Sequence, residues 1–138
     1  YERAVKRCKM AMLTEMVTGG KISESAYLCL KLAWIYRGEI QEAKANGATQ
    51  ERISMYEKYE KEYLEDAYRG FKQARETEYP PIAGMDENTI TYLLTSIGIH
   101  CGKIDEARRY GSALLISRTA SMKLKNKTRD VLETIKKN

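Results

Sequence analysis

Apolar residues recur every three or four positions along nearly the whole chain, which is the spacing of one face of an α-helix. The first such stripe consists of Val5, Cys8, Met12 and Met16. Only two prolines interrupt the 138 residues, and these two are adjacent. Because proline breaks helices more strongly than any other residue, this pattern predicts an all-α fold with about six helices.

Capping side chains, glycines and the Pro80-Pro81 pair predict where these helices begin and end. Residues 2–17 form the first predicted helix. The other five begin at the caps Ser23, Thr49 and Asp86, near Asp105, and after a break at 119–121. The second helix can close at Gly38, and residues 39–48 fit either a helical extension or a loop. The third helix runs to about residue 77, so it is longer than most globular helices.

Two segments have the small and aromatic residues of a tetratricopeptide repeat at the right spacing. Leu32-Ala33-x2-Tyr36 matches a repeat's first helix, and Ala67-x3-Phe71-x2-Ala74, followed by Pro80, matches its second helix. A second unit, from Leu94 to Leu114, keeps the length of a repeat with less aromatic packing. The chain therefore resembles a tetratricopeptide-like domain, with antiparallel helix pairs in a short right-handed α–α superhelix and an overlong third helix. An irregular helical bundle is the alternative.

Residues 26–37, 81–93 and 102–108 carry a second resemblance, in which the Gly-Met-Asp-Glu element at 84–87 is the most specific part. In this order they resemble an uncharacterised bacterial family, domain of unknown function 2225, which is common in Firmicutes. Its members typically carry a cysteine-rich, zinc-ribbon-like region before the helical part. The resemblance thus implies that residues 1–138 are a single helical domain, the C-terminal fragment of a longer protein. The family has no established activity, so the resemblance implies no catalytic residues.

Positive charge is concentrated toward the C-terminal end of the chain. Residues 1–102 hold 14 basic and 15 acidic side chains, whereas residues 103–138 hold 10 basic and 4 acidic ones. A basic cluster can bind nucleic acid or an acidic partner, but it is more often a solvated face. The residues of this possible basic patch are Arg108, Arg109, Arg118, Lys123, Lys125, Lys127 and Arg129. Because only Tyr110 places an aromatic ring among them, nucleic-acid binding is the alternative and not the leading hypothesis.

The residue types that support catalysis or metal binding are not arranged for either role. Cys8, Cys29 and Cys101 are far apart, and none forms a C-x-x-C pair. His100 has no Asp or Glu three or four residues away that could orient it. We therefore expect no enzyme, no metal and no cofactor, and we expect buried thiols typical of a cytoplasmic protein. No window of 18 apolar residues occurs, so we expect no membrane partner.

A non-catalytic scaffold that binds a protein or peptide is the function that this pattern favours. In stacked repeats the first helices line a concave groove, where aromatic side chains and arginine supply much of the binding energy. Counting from the motif positions, the groove residues are Tyr27, Leu30, Trp34, Arg37, Thr89, Tyr92, Ser96 and His100. The alternative for these residues is a core covered by the first or last helix. A third possible function is self-association, as a homodimer instead of a monomer, through the tyrosines of the third helix, Tyr56, Tyr59, Tyr63 and Tyr68.

Overall fold

The computed structural model describes residues 4–7, 10 and 21–136, and this part of the chain is all-α, as predicted. Residues 4–7 and 10 are helical, and five complete helices follow. They are α1 (Ile22–Ala45), α2 (Gln50–Thr77), α3 (Glu87–His100), α4 (Ile104–Leu115) and α5 (Met122–Lys136). The predicted first stripe lies mostly outside the described residues, as does the predicted end of that helix at Gly19-Gly20.

Helix α1 differs from the prediction at its N-terminal end, and at its C-terminal end it follows one of the two predicted alternatives, the helical extension to Ala45. Its N-cap residue is Lys21, which makes no side-chain capping hydrogen bond, whereas Ser23 is fully buried inside the first turn. The predicted cap at Ser23 is therefore wrong. Gly38 does not end the helix either, because buried Ile40 and Ala43 continue it and pack with Ile53 of α2. This burial outweighs the cost of about 1 kcal/mol for a glycine in a helix.

The predicted helix starts at Thr49 and Asp86 are confirmed by capping hydrogen bonds. The Arg52 backbone N–H donates to Thr49 Oγ1 at 3.3 Å, at the start of α2. The Thr89 backbone N–H donates to an Asp86 carboxylate oxygen at 2.7 Å, at the start of α3. Between these helices, the predicted break around the proline pair is also confirmed, since Ile82 and Met85 pair their backbones there without forming a strand.

The chain divides into two compact units, residues 1–70 and 71–138, so the division falls within α2. In the first unit, α1 packs against α2 through fully buried residues such as Leu32 and Ala67. Gly70 permits this close approach, because a Cβ atom there would lie 2.7 Å from Ala26 Cβ. Both units share α2, and the single-domain organisation stays a prediction.

The second unit contains the end of α2 and the three helices α3, α4 and α5, each of which contacts the other two. Its core includes Ile90 and Leu94 of α3 and Leu114 of α4, all of them fully buried. Gly111 is buried, and a Cβ atom there would lie 2.9 Å from the side chain of Leu132. The small residue therefore allows α5 to approach α4 closely.

Candidate functional site

Helix α1 carries a stripe that we call the α1 surface, formed by partly buried Tyr27 and by exposed Lys31 and Trp34. Their spacing of four and three residues places them on one face of the helix. Trp34 is the only tryptophan of the chain, and 49% of its surface is exposed. The ammonium group of Lys31 lies over the ring of Tyr27, with Nζ 4.8 Å from the ring centre. Tryptophan and tyrosine are enriched where proteins bind one another, which makes this face a candidate site.

The other two groove residues predicted on α1 do not belong to this surface. Leu30 is only 1% exposed, so its assignment to a groove is wrong. It lies about 60° around the helix from Tyr27, on the side that packs into the core. Arg37 lies at the edge of the stripe, where a guanidinium nitrogen is 3.6 Å from a carboxylate oxygen of Glu60 on α2. This ion pair directs Arg37 toward α2.

The four groove residues predicted on α3 do share one face of that helix. Thr89, Tyr92 and Ser96 are partly buried and His100 is exposed. Spacings of three, four and four residues place them on the side of α3 opposite its fully buried residue Leu94. Their position in one groove with the residues of α1 stays a prediction.

The predicted basic residues are almost all exposed, and two of them line a common cavity. Arg108 of α4 and Arg129 of α5 face a space of about 440 Å³ between these helices. Ser112, Leu115, Leu132 and the acidic Glu133 complete the lining. Lys125 alone among the seven basic residues is partly buried. The carboxylate of Glu133 reduces the positive potential that the two arginines create in this cavity.

Tyrosines of α2 form a cluster around Tyr36 of α1. The ring centre of Tyr36 lies 6.0 Å from that of Tyr56, 5.4 Å from that of Tyr59 and 5.9 Å from that of Tyr63. Tyr36 and Tyr63 are stacked with an angle of 6° between their rings. Burial raises the pKa of Tyr63 above its ordinary value. These tyrosines thus pack within the chain, and Tyr68 of the same helix is buried.

A cavity of about 500 Å³ opens beside this tyrosine cluster, and the sequence did not predict it. We call it the tyrosine cavity; its lining residues are Val5, Lys6, Tyr36, Glu39, Arg52, Met55, Tyr56 and Tyr59. Arg52 Nε donates a hydrogen bond to the hydroxyl of Tyr56 at 3.1 Å. The guanidinium carbon of Arg52 lies 5.7 Å from the centre of the Tyr56 ring. The sequence signal for this site is the spacing of Arg52, Tyr56 and Tyr59 on one helix face.

A family comparison places the chain among bacterial proteins. The family model described as "Uncharacterized protein conserved in bacteria (DUF2225)" matches residues 1–135. The chain belongs to this family. The resemblance carried by the Gly-Met-Asp-Glu element is therefore confirmed. No curated protein and no solved structure matches the chain.

Cys29 and Cys101 are the cysteines that the structure of this DUF2225 chain describes, and they differ in burial. Cys29 is buried, and desolvation, followed by the charge of Asp66, raises its pKa to about 11. Its thiol is therefore protonated at neutral pH, as expected for an inert buried cysteine. Cys101 is partly buried, and Cys8 lies outside the described part of the chain. Among the residues that the structure describes, no group of three or more His, Cys, Asp or Glu side chains could hold a metal ion.

None of the helices in residues 21–136, nor the helical residues before them, is both long and apolar enough to cross a membrane.

Proposed function

We propose that the chain is a non-catalytic scaffold that binds a protein or peptide through the α1 surface. The observation that carries this proposal is the half-exposed Trp34, one turn along α1 from the Tyr27–Lys31 pair. Covering the exposed part of an indole ring removes on the order of 100 Å² of surface from water. At about 25 cal/mol per Å², this contributes about 2–3 kcal/mol, which is the size of an interface hot spot.

A tetratricopeptide-like arrangement of helix pairs is part of the proposal. In the second unit, the mutual contacts of α3, α4 and α5 support it. In stacked repeats the first helix of one pair contacts both its own partner and the first helix of the next pair. The predicted second-helix signature also agrees, since Ala67, Phe71 and Ala74 are all fully buried.

The placement of the reactive side chains supports a scaffold and not an enzyme. His100 is exposed at the end of α3, and its neighbours at helical spacing are Ser96, Ile97, Lys103 and Ile104. Cys29 holds its proton at neutral pH and is therefore a poor nucleophile. A cytoplasmic location belongs to the same proposal, and the unpaired thiol of buried Cys29 supports it.

Nucleic-acid binding is the second candidate, and the pairing of Arg108 with Arg129 at one cavity favours it. Phosphate contacts release counterions, so such binding would weaken steeply as salt concentration rises. Binding through the α1 surface is mainly apolar and should depend little on salt. Measuring the affinity for a partner over a salt series therefore separates the two functions.

Peptide selection with a matched counter-selection tests the leading proposal. Random peptides are selected on the immobilised wild-type chain and depleted on the Trp34→Ala variant. Tyr79→Ala serves as the control, because Tyr79 is an exposed aromatic residue outside α1. We expect peptides that bind the wild type and Tyr79→Ala equally and bind Trp34→Ala at least about tenfold more weakly. Selected peptides that bind all three proteins equally would contradict the proposal.

A further inference from the structure

The tyrosine cavity is a second candidate site, separate from the α1 surface. Tyr36 lies about 180° around α1 from Tyr27, so the two sites use opposite sides of this helix. The cavity volume of about 500 Å³ falls within the range of small-molecule sites, about 300–1,000 Å³. A peptide-binding surface is usually a longer groove, so this volume favours a small ligand.

The walls of the cavity favour an aromatic ring as the ligand's main body. Three tyrosine rings line it, and its apolar lining includes accessible side chains: Tyr59 is 36% exposed and Met55 is 44% exposed. Aromatic rings pack well in offset or tilted arrangements against tyrosine, and the methionine sulfur also makes favourable contacts with a ring. A flat, apolar ring fits these surfaces better than a branched aliphatic group does.

The charges that line the cavity favour a negative group on that ring. Lys6 and Arg52 contribute two positive charges, and Glu39 contributes one negative charge. Tyrosine cages usually bind cations, since the ring face carries negative potential. Here the guanidinium of Arg52 already lies over the face of Tyr56. A cationic ligand would have to compete with Arg52 for this face, whereas an anion gains from the same guanidinium.

We propose that the tyrosine cavity binds a small planar aromatic anion, such as an aromatic carboxylate. The ring packs against Tyr59 and Met55, and the carboxylate interacts with Arg52 and Lys6. Arginine presents planar N–H donors that match a carboxylate, and the low polarity of the tyrosine walls strengthens this attraction. Neither the scaffold function nor the family relationship is needed for this binding.

Three indole probes of equal ring size test the predicted charge preference. Indole-3-acetate is the anion, tryptophol is the neutral analogue and tryptamine is the cation. Their dissociation constants are measured by saturation-transfer and chemical-shift NMR on the wild-type chain. We expect indole-3-acetate to bind about tenfold more tightly than tryptophol, and tryptamine to bind most weakly. Raising the salt concentration from about 0.1 M to about 1 M should reduce this preference, because salt screens charges near the surface.

Variants in the lining of the cavity assign the charge and ring contacts separately. Arg52→Gln should weaken the binding of indole-3-acetate about tenfold and leave the affinity for tryptophol unchanged, so that the preference for the anion disappears. Tyr59→Ala should weaken the binding of both indole-3-acetate and tryptophol several-fold. Met55→Glu adds a negative charge to the lining and should reduce the preference for indole-3-acetate over tryptamine. All three positions are exposed or at the boundary of exposure, and circular dichroism confirms that each variant is folded.

Two control variants separate this site from the α1 surface. Lys58→Gln removes an exposed positive charge of α2 that does not line the cavity, and Trp34→Ala alters the α1 surface. We expect both variants to bind indole-3-acetate like the wild type. The proposal is overturned if no probe binds at millimolar concentration, if tryptamine binds the wild type as tightly as indole-3-acetate, or if Arg52→Gln keeps the preference. Loss of indole-3-acetate binding in Trp34→Ala would also overturn it.

Discussion

The ammonium group of Lys31 lies 4.8 Å above the ring centre of Tyr27, on the helix face that also exposes Trp34. A cation over an aromatic ring at an exposed site contributes about 0.5–1 kcal/mol. The contact restricts both side chains without covering the indole. The aromatic surface that a partner would meet is thus partly ordered before binding, which reduces the entropy that binding must overcome.

We expect substitutions at Gly70 and Gly38 to change the stability of the protein in opposite directions, because only Gly70 lies where α1 and α2 approach each other closely. Gly70→Ala places a Cβ atom 2.7 Å from Ala26 Cβ, so the helices must separate. We expect a loss of about 1–3 kcal/mol in the free energy of unfolding. Gly38→Ala is the matched control, because no atom lies within 4 Å of its added Cβ. This change should stabilise the protein by about 0.5–1 kcal/mol. Chemical denaturation of both variants checks the pair, and equal effects of the two would refute the close packing at Gly70.

We expect the capping carboxylate of Asp86 at the start of α3 to stabilise the fold by an amount that depends on pH. The hydrogen bond from the Thr89 backbone N–H holds the pKa of Asp86 below its usual 3.8. Because the folded pKa is lowered, the stabilisation is fully present above the unfolded pKa and is lost as pH falls through the folded pKa. We expect Asp86→Ala to cost about 1 kcal/mol at neutral pH. The cost should diminish below about pH 4. Urea unfolding of wild type and variant at several pH values measures this difference, and a cost independent of pH would contradict the role of the carboxylate.

We expect the thiol of Cys29 to react slowly with thiol reagents. Its pKa of about 11 leaves little thiolate at pH 8, and the side chain is buried. In a Cys8→Ser, Cys101→Ser background, we expect the native protein to react with a thiol reagent at least about 100-fold more slowly than the urea-unfolded protein. The absorbance of the released chromophore gives both rates. Equal rates in native and unfolded protein would show that Cys29 is accessible.

We expect the basic residues of α5 to contribute only weakly to peptide affinity, and we expect this contribution to depend on the salt concentration. Reversing Lys123, Lys125 and Lys127 to Glu changes the charge of a helix that lies outside the α1 surface. At physiological salt we expect less than about a twofold change in peptide affinity, because salt screens charges near the surface. The effect should grow only at low salt. If these reversals abolish binding while Trp34→Ala binds normally, the basic residues form the functional site.

The local features of the fold could be predicted from the sequence because they depend on short-range contacts. Thr49 and Asp86 cap their helices with their own side chains, and a capping residue three positions before a free backbone N–H is visible in the sequence. Ser23 was misread, and the sequence left open whether the helix continues past Gly38, because burial of neighbouring residues decides both points. Such burial depends on where another helix packs, which local propensity does not specify.

The candidate sites were less predictable for the same reason. Tyr27 and Leu30 are three residues apart, yet one lies on the α1 surface and the other in the core. Periodicity gives the angle between two side chains, but it does not give the width of the face that a neighbouring helix covers. The tyrosine cavity depends on residues of separate helices, Tyr36 and Tyr59 among them. Only the packing of α1 on α2 brings these residues together.

The fluorescence of Trp34 tests the binding proposal most directly, because no other tryptophan contributes to the emission of the chain. A peptide without tryptophan, obtained by the selection described above, is titrated into the wild-type protein, and calorimetry gives its affinity independently. We expect the emission of the half-exposed indole to shift to shorter wavelength and to saturate with the calorimetric dissociation constant, since the peptide removes the ring from water. An emission spectrum that stays unchanged while calorimetry shows full binding would place the partner elsewhere and contradict a function for the α1 surface.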